Sequence, residues 1–269
     1  MSFSRTTRAV LLAFTVLVLV FIHAPLALVV LNSFNISRTF EWPPPGFTTQ
    51  WWSSAMENPG ARNAIVVSVE VALMATALAL VLGTLAALAL QRFRFFGRDT
   101  VSLLIVLPIA LPGVVTGIAL ANAFLTMFGI QLGLFSLVVS HATFCMVTVF
   151  NNAIARLRRL GGNLEEASMD LGAGTFRTFW SVTLPMMRSA LLAGALLSFA
   201  LSFDEIIVTT FTAGSGVQTL PIWIYQNLFR PNQAPVVNVV AAALIVASII
   251  PIWLSQKLAG TDESVAAAR

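Results

Sequence analysis

Charged residues and cysteine are scarce in this sequence. Only 10% of the 269 residues are charged, against about 25% in an ordinary soluble domain. A single cysteine, Cys145, excludes an intramolecular disulfide and a zinc site built from cysteines. Because 58% of the residues are hydrophobic and the mean hydropathy is +0.88, a water-soluble fold could not cover the apolar surface. The composition therefore argues against a soluble enzyme, a disordered chain and a fibrous repeat.

Long apolar segments are what the sequence has in abundance. A helix needs about 20 mostly apolar residues to cross roughly 30 Å of hydrocarbon. Six segments have this length, so we predict an all-α, polytopic membrane protein with a single transmembrane domain, residues 1–269. The predicted spans are 10–31, 64–90, 101–128, 134–154, 187–211 and 236–254. The first has a longer apolar run than the roughly 7–15 residues of a signal peptide, so we interpret it as a retained helix.

Basic residues alternate from one loop to the next along the chain. Three of the 15 basic residues, Arg38, Arg62 and Arg230, fall on one predicted side of the membrane. The other side holds Arg5, Arg8, Arg92, Arg94, Arg98, Arg156, Arg158, Arg159, Arg177, Arg188, Lys257 and Arg269. The positive-inside rule then places both termini in the cytoplasm. The net charge of +4 therefore indicates orientation, and we expect a lipid membrane but no nucleic acid as partner.

The one long predicted cytoplasmic loop, residues 155–186, begins with a short helix. Asn163 is a suitable N-cap. Glu165 and Glu166 fall in the first turn, where acidic side chains suit the helix dipole. Asp170 is four residues after Glu166, so the two share one face.

Two glycines, Gly172 and Gly174, are expected to end this first helix. A second short helix follows, and Pro185 is expected to end it. Its apolar stripe consists of Phe176, Phe179, Trp180 and Thr183. The pattern alone favours a helical loop packed on the protein's own cytoplasmic ends over a finger that contacts a partner.

The loop resembles the EAA loop of ABC-importer permeases. Its pattern begins Glu166-Ala167-Ser168, has Gly172 six residues after the glutamate, and closes with Leu184-Pro185. Ser168 stands where the family has alanine, and Ser189 where it often has a second proline. The stretches 83–87, 95–98 and 108–118 are similar to the same permeases. Residues 198–205 resemble the spermidine/putrescine permease C and I subunits, so the resemblance covers nearly the whole chain.

This resemblance implies a type I ABC-importer permease with the MetI-like fold, in the bacterial inner membrane. It implies a cytoplasmic ATPase dimer, a second and non-identical permease, and a periplasmic substrate-binding protein as partners. The substrate implied is a polyamine. The residues that it implies for ATPase coupling are Glu166, Ala167, Asp170, Gly172, Ala173, Phe176, Leu184 and Pro185. The sequence has no phosphate-binding P-loop, so we expect a non-catalytic subunit without cofactor, with ATP hydrolysed by a separate chain.

Three carboxylates, Glu70, Asp204 and Glu205, fall in the outer parts of predicted spans. Ionisable residues inside a membrane are costly and are candidates for function. A layer of negative charge in a low-dielectric path would attract a cation such as a polyamine. Pairing with Arg62, with the histidines or with the partner subunit is the structural alternative.

Other residues within the spans support less specific hypotheses. Phe199 and Phe203 lie four apart and form either an apolar gate or ordinary core. His23 and His141 have no third ligand at helical spacing, so we expect no metal site. Pro108 and Pro112 are both expected to kink the third span.

Alternative functions remain open from the sequence alone. Iron, phosphonate, opine and amino-acid permeases share many of these features, so another solute is possible for the same fold. A proton-coupled secondary transporter would use Glu70 and Asp204 but would not explain the cytoplasmic finger. A membrane enzyme would need a catalytic motif such as HExxH or GxSxG, and the sequence contains neither.

Overall fold

The backbone is helical along nearly all of its length. The structure, a computed structural model, describes residues 4–39, 41–230 and 232–248. Its helices are α1 (Arg5–Asn32), α2 (Gln50–Glu57), α3 (Pro59–Arg92), α4 (Arg98–Ala110), α5 (Gly113–Asn122), α6 (Leu134–Leu160), α7 (Asn163–Asp170), α8 (Thr175–Thr178), α9 (Leu184–Phe203), α10 (Ile207–Thr212), α11 (Leu220–Asn227) and α12 (Ala234–Ser248). Two π-helical turns, Ala123–Met127 and Phe179–Thr183, follow α5 and α8.

Four continuous helices in the described residues are long and apolar enough to cross a membrane. They are Arg5–Asn32, Pro59–Arg92, Leu134–Leu160 and Thr175–Phe203. A bent pair, Arg98–Ala110 with Gly113–Met127, brings the number to five if it counts as one span. The predicted sixth span, 236–254, coincides with α12 up to Ser248, and its remainder lies outside the described residues, as do Lys257 and Arg269.

The third predicted span, 101–128, is broken, which corrects the expectation of one kinked helix. Its two halves meet at an angle of 107°. Leu111 has an extended backbone, with ψ of 146°, because a residue before proline is pushed away from helical geometry. Pro112 thus begins the second half, whereas Pro108 lies inside α4. Only one of the two prolines marks the break.

The fifth predicted span, 187–211, is displaced, and the role expected for Pro185 is wrong. The helix runs without interruption from Thr175 to Phe203. Pro185 lies inside this helix, two residues after the π-helical turn Phe179–Thr183, and a local π-helical adjustment accommodates the backbone donor that proline lacks. The cytoplasmic finger therefore continues directly into a membrane-spanning helix.

The chain divides into two units, and α6 is at the centre of the larger one, Asn63–Trp223. Within this unit α6 is 61% buried over its most apolar stretch. A Cβ on Gly83 of α3 would lie 2.9 Å from the Met146 carbonyl oxygen, and one on Gly194 of α9 would lie 3.2 Å from Val149 Cα. Glycine at these two positions lets the backbones of α3 and α9 approach α6 closely.

The other unit, Met1–Arg62 with Ile224–Arg269, contains α1, the segment after it and α12. Trp51 donates its indole N–H to the Asn35 carbonyl oxygen at 2.8 Å. Phe34 and Trp52 stack with ring centres 5.4 Å apart. These contacts fix the segment between α1 and α2, whereas α1 itself has no buried residue.

Candidate functional site

The finger that follows α6 has the two helices and the turn that the sequence predicts, but its N-cap is shifted and its second helix does not end at Pro185. Its first helix, α7, spans Asn163–Asp170, and its N-cap is Gly162 where Asn163 was expected. Gly172 has φ of +87°, a left-handed conformation that glycine adopts without steric cost. The chain reverses there, and α8 begins at Thr175. The expected helix–turn–helix is confirmed.

Glu165, and not Glu166, anchors the finger to the rest of its unit. The Glu165 carboxylate lies 2.6 Å from the Arg92 guanidinium at the end of α3. Thr183, in the π-helical turn, donates its hydroxyl to the same carboxylate oxygen. Arg92 also donates to the Thr183 hydroxyl at 3.3 Å. These three side chains connect α3, α7 and the end of the finger, a connection that was not predicted from the sequence.

Most of the residues that the family resemblance assigns to coupling lie on the outer surface of the finger. Glu166, Ala167, Asp170 and Gly172 are exposed, as is Pro185, while Ala173 and Leu184 are half-buried. Phe176 is 78% exposed, and its ring lies 6.2 Å from that of Trp180. Leu171, at 90% exposure, adds a further apolar side chain. The surface combines carboxylates with uncovered apolar groups.

A hydrogen bond inside the finger involves Ser168, the position at which the chain departs from the family pattern. The Ser168 and Thr178 hydroxyl oxygens are 3.1 Å apart. Alanine at position 168 could not make this bond. The departure therefore adds a cross-link between the two helices of the finger.

A second candidate site lies at the break between α9 and α10. Asp204 caps the end of α9 and is exposed. Glu205 is half-buried, and its carboxylate accepts the Val208 backbone N–H at 2.8 Å. Both residues therefore lie in a break, and the expectation of a continuous helix through them is wrong. Glu205 satisfies an otherwise free N–H in the first turn of α10.

His141, on α6, holds the two sides of this break. It is fully buried; its Nδ1 is 2.8 Å from the Ser202 hydroxyl and its Nε2 is 2.9 Å from the Thr209 hydroxyl. Thr209 donates its only hydroxyl proton to the Glu205 carbonyl oxygen. The network therefore assigns a proton to Nε2, which donates it to the Thr209 hydroxyl oxygen. From the sequence, His141 was considered as a metal ligand and as a structural partner of the intramembrane carboxylates; within the described residues no cluster suits a metal ion.

The remaining residues proposed for the substrate path lie on α3 and α9. Glu70 is exposed on α3. Phe199 and Phe203 are half-buried and stack with ring centres 5.9 Å apart and planes 22° apart. The stacking fits the aromatic gate and the ordinary core equally well. A common level for Glu70 and the two carboxylates at the break stays a prediction.

Comparisons with known proteins give consistent results. The family model described as "Binding-protein-dependent transport system inner membrane component" matches residues 79–259. The spermidine/putrescine transport system permease protein PotC of Escherichia coli (strain K12) is 36% identical over 240 residues, 89% of each chain. The putrescine transport system permease protein PotI of the same strain is 34% identical, over 84% of this chain and 82% of that one.

One further relative and one solved structure extend the comparison. The spermidine/putrescine permease protein PotC of Haemophilus influenzae is 34% identical over 91% of this chain and 94% of its own length. A crystal structure of a bacterial ABC transporter involved in import of the acidic polysaccharide alginate contains a similar chain, with a TM-score of 0.70 and 16% identity. It covers 97% of this chain and 99% of the other. This second likeness establishes the fold, that of an ABC-importer permease.

Proposed function

Because the chain belongs to the family of binding-protein-dependent transport system inner membrane components, we propose that it forms the membrane path of an ATP-driven importer of polyamines. The observation that carries this proposal is the 36% identity over 89% of each chain with a spermidine/putrescine permease protein. The chain is a multi-pass inner-membrane permease subunit. The polyamine is the part of the proposal that needs a direct test.

Exposed carboxylates support a cationic substrate. Glu70 and Asp204 are exposed, so each can face a solute or a partner subunit. The Glu205 carboxylate has a local role in accepting the Val208 N–H, so it contributes charge with a fixed orientation. The rings of Phe199 and Phe203 form an apolar segment of the same path. A polyamine has cationic amines separated by methylene groups, and both kinds of side chain suit it.

The finger transmits the ATPase movement to the membrane helices. Its exposed surface, Glu166, Ala167, Asp170, Gly172 and Phe176, docks on a cytoplasmic ATPase subunit, with Ala173, Leu184 and Pro185 supporting it from within. The finger continues without a break into α9, and Glu165 attaches it to α3 through Arg92. A push on the finger would therefore reach two membrane helices as a rigid-body movement. The ATPase subunits, and not this chain, hydrolyse ATP.

The complete transporter has further subunits. A second, non-identical permease completes the path, two ATPase subunits bind on the cytoplasmic side, and a periplasmic binding protein delivers the polyamine. Both termini lie in the cytoplasm. Family membership supports the binding protein and the ATPase, and the resemblance of the sequence to heterodimeric permeases supports the second permease.

Uptake measurements test the substrate and the role of charge together. The whole transporter would be expressed in cells without polyamine importers, and uptake of labelled spermidine and putrescine would be measured. We expect saturable uptake, with a several-fold higher half-saturation constant for Glu70→Gln and for Asp204→Asn, since each removes an attracting charge. Glu57→Gln, an exposed carboxylate on α2, is the matched control.

Two results would contradict parts of this proposal separately. Unchanged uptake constants in both variants would reject the charged layer while leaving the polyamine in place. Transport of ferric ion, a phosphonate, an opine or an amino acid, with no polyamine uptake, would reject the substrate.

A further inference from the structure

A polar cavity lies between α6 and α9 and is lined by residues that belong to neither candidate site. Its volume is about 360 Å³. The polar side chains that line it are Asn151, Asn152, Arg156, Arg159 and Ser189. None of the described residues that line it is acidic, so its charge is positive.

The two arginines in the cavity are held in place by backbone carbonyl groups. Arg156 donates its Nε–H to the Met186 carbonyl oxygen at 2.9 Å, and Arg159 donates its own to the Ala155 carbonyl oxygen at 3.2 Å. In the described chain neither guanidinium forms a salt bridge, whereas Arg92 does. Their terminal nitrogens therefore keep their donors for a ligand, and the Nε bonds fix the planes of the groups.

The cavity lies near one end of α6, at the level of a membrane surface. Arg156 is 22 residues beyond Leu134, the first residue of α6, and at 1.5 Å per residue this is about 33 Å along the helix axis. The hydrocarbon core of a bilayer is about 30 Å thick. When the start of α6 lies at one surface, the arginines reach the lipid headgroups at the other.

We propose that this cavity binds the phosphate of an anionic phospholipid. A guanidinium fork matches phosphate oxygens in two parallel hydrogen bonds, and Asn151 and Ser189 supply further donors at the same cavity. The Asn152 amide donates one N–H to the Thr148 carbonyl oxygen at 2.9 Å and keeps its second. Basic pockets between membrane helices bind lipid headgroups by this chemistry. A cationic polyamine would be repelled from this cavity. The inference does not depend on the polyamine assignment.

Retention of lipid through purification tests the site. The complete transporter would be reconstituted in phosphatidylcholine vesicles that contain phosphatidylglycerol, extracted into detergent, and analysed for phosphatidylglycerol that stays bound. Arg159→Gln removes one of the two guanidinium groups, at an exposed position. We expect about tenfold weaker retention, since a charge-assisted hydrogen-bond pair is lost. Arg158→Gln, the exposed neighbour outside the cavity, is the matched control and should retain the lipid.

Further variants and conditions separate lipid binding at this cavity from attraction to general surface charge. Arg159→Lys keeps the charge but loses the fork, so intermediate retention supports the proposed geometry. Equal loss in Arg158→Gln and Arg159→Gln would overturn the site in favour of general surface charge, and full retention in Arg159→Gln would overturn it altogether. Binding of inorganic phosphate to the extracted transporter, with no phosphatidylglycerol retained, would keep the phosphate chemistry and reject the lipid as its source.

Discussion

Glu165 and Glu166 are neighbours on α7, yet one makes a salt bridge within the chain and the other is exposed. Successive residues of an α-helix point about 100° apart. Glu165 therefore meets Arg92, 73 positions away in the chain, while Glu166 remains exposed. The sequence predicts that both acids lie in the first turn of α7, but it contains no signal that pairs one of them with Arg92. The partner becomes visible only when the end of α3 is placed beside the finger.

The His141 network leads to a prediction about stability. His141→Phe keeps a ring of similar size but leaves the Ser202 and Thr209 hydroxyls without their imidazole partner. An unsatisfied buried polar group costs about 1–3 kcal/mol. We therefore expect the variant transporter to unfold at a lower temperature in a thermal scan of the purified complex. His23→Phe, on the exposed helix α1, should leave that temperature unchanged. Equal shifts in the two variants would mean that the network contributes nothing beyond ring packing.

At the scale of elements, apolar runs predict where helices exist better than where they break. The bend at Leu111–Pro112 has a local cause in proline chemistry, so the sequence could have located it. The break between α9 and α10 has no such signal, because neither proline nor glycine occurs in 203–207. Bonds from His141 and from the Glu205 carboxylate hold that break. These contacts are tertiary, and a single sequence does not display them.

The turn of the finger carries a prediction about coupling. Gly172 has φ of +87°, a conformation that costs a residue with a Cβ about 1–2 kcal/mol. We expect Gly172→Val to distort the turn and to lower the ATPase activity that loaded binding protein stimulates in the reconstituted transporter. Gly174 has φ of −68°, an ordinary extended conformation, and a Cβ at this position would meet no atom of the described residues within 4 Å. Gly174→Ala should therefore keep normal stimulation. Normal stimulation in Gly172→Val would remove the turn from the coupling mechanism.

For the whole molecule, the composition predicts the membrane and the family resemblance predicts the fold. Both are confirmed, by the long apolar helices and by the permease relatives. The positions of the breaks, of the cavity between α6 and α9 and of the Arg92–Glu165 pair come from packing between distant segments. The same arginines that set orientation in the sequence thus have individual roles in the fold: Arg92 anchors the finger, and Arg156 and Arg159 line the cavity.

Orientation is the prediction that concerns the molecule as a whole. The basic residues place the loop containing Arg94 in the cytoplasm and the turn containing Gln131 on the opposite side. Cys145, the chain's one cysteine, is fully buried, so it should not react and the natural chain serves as the background. In whole cells, a membrane-impermeant maleimide should label Gln131→Cys, which is exposed, and leave Arg94→Cys, also exposed, unlabelled. After the cells are opened, both should react. Labelling of Arg94→Cys alone in intact cells would contradict this orientation. The finger would then lie on the side of the membrane opposite to the ATPase subunits.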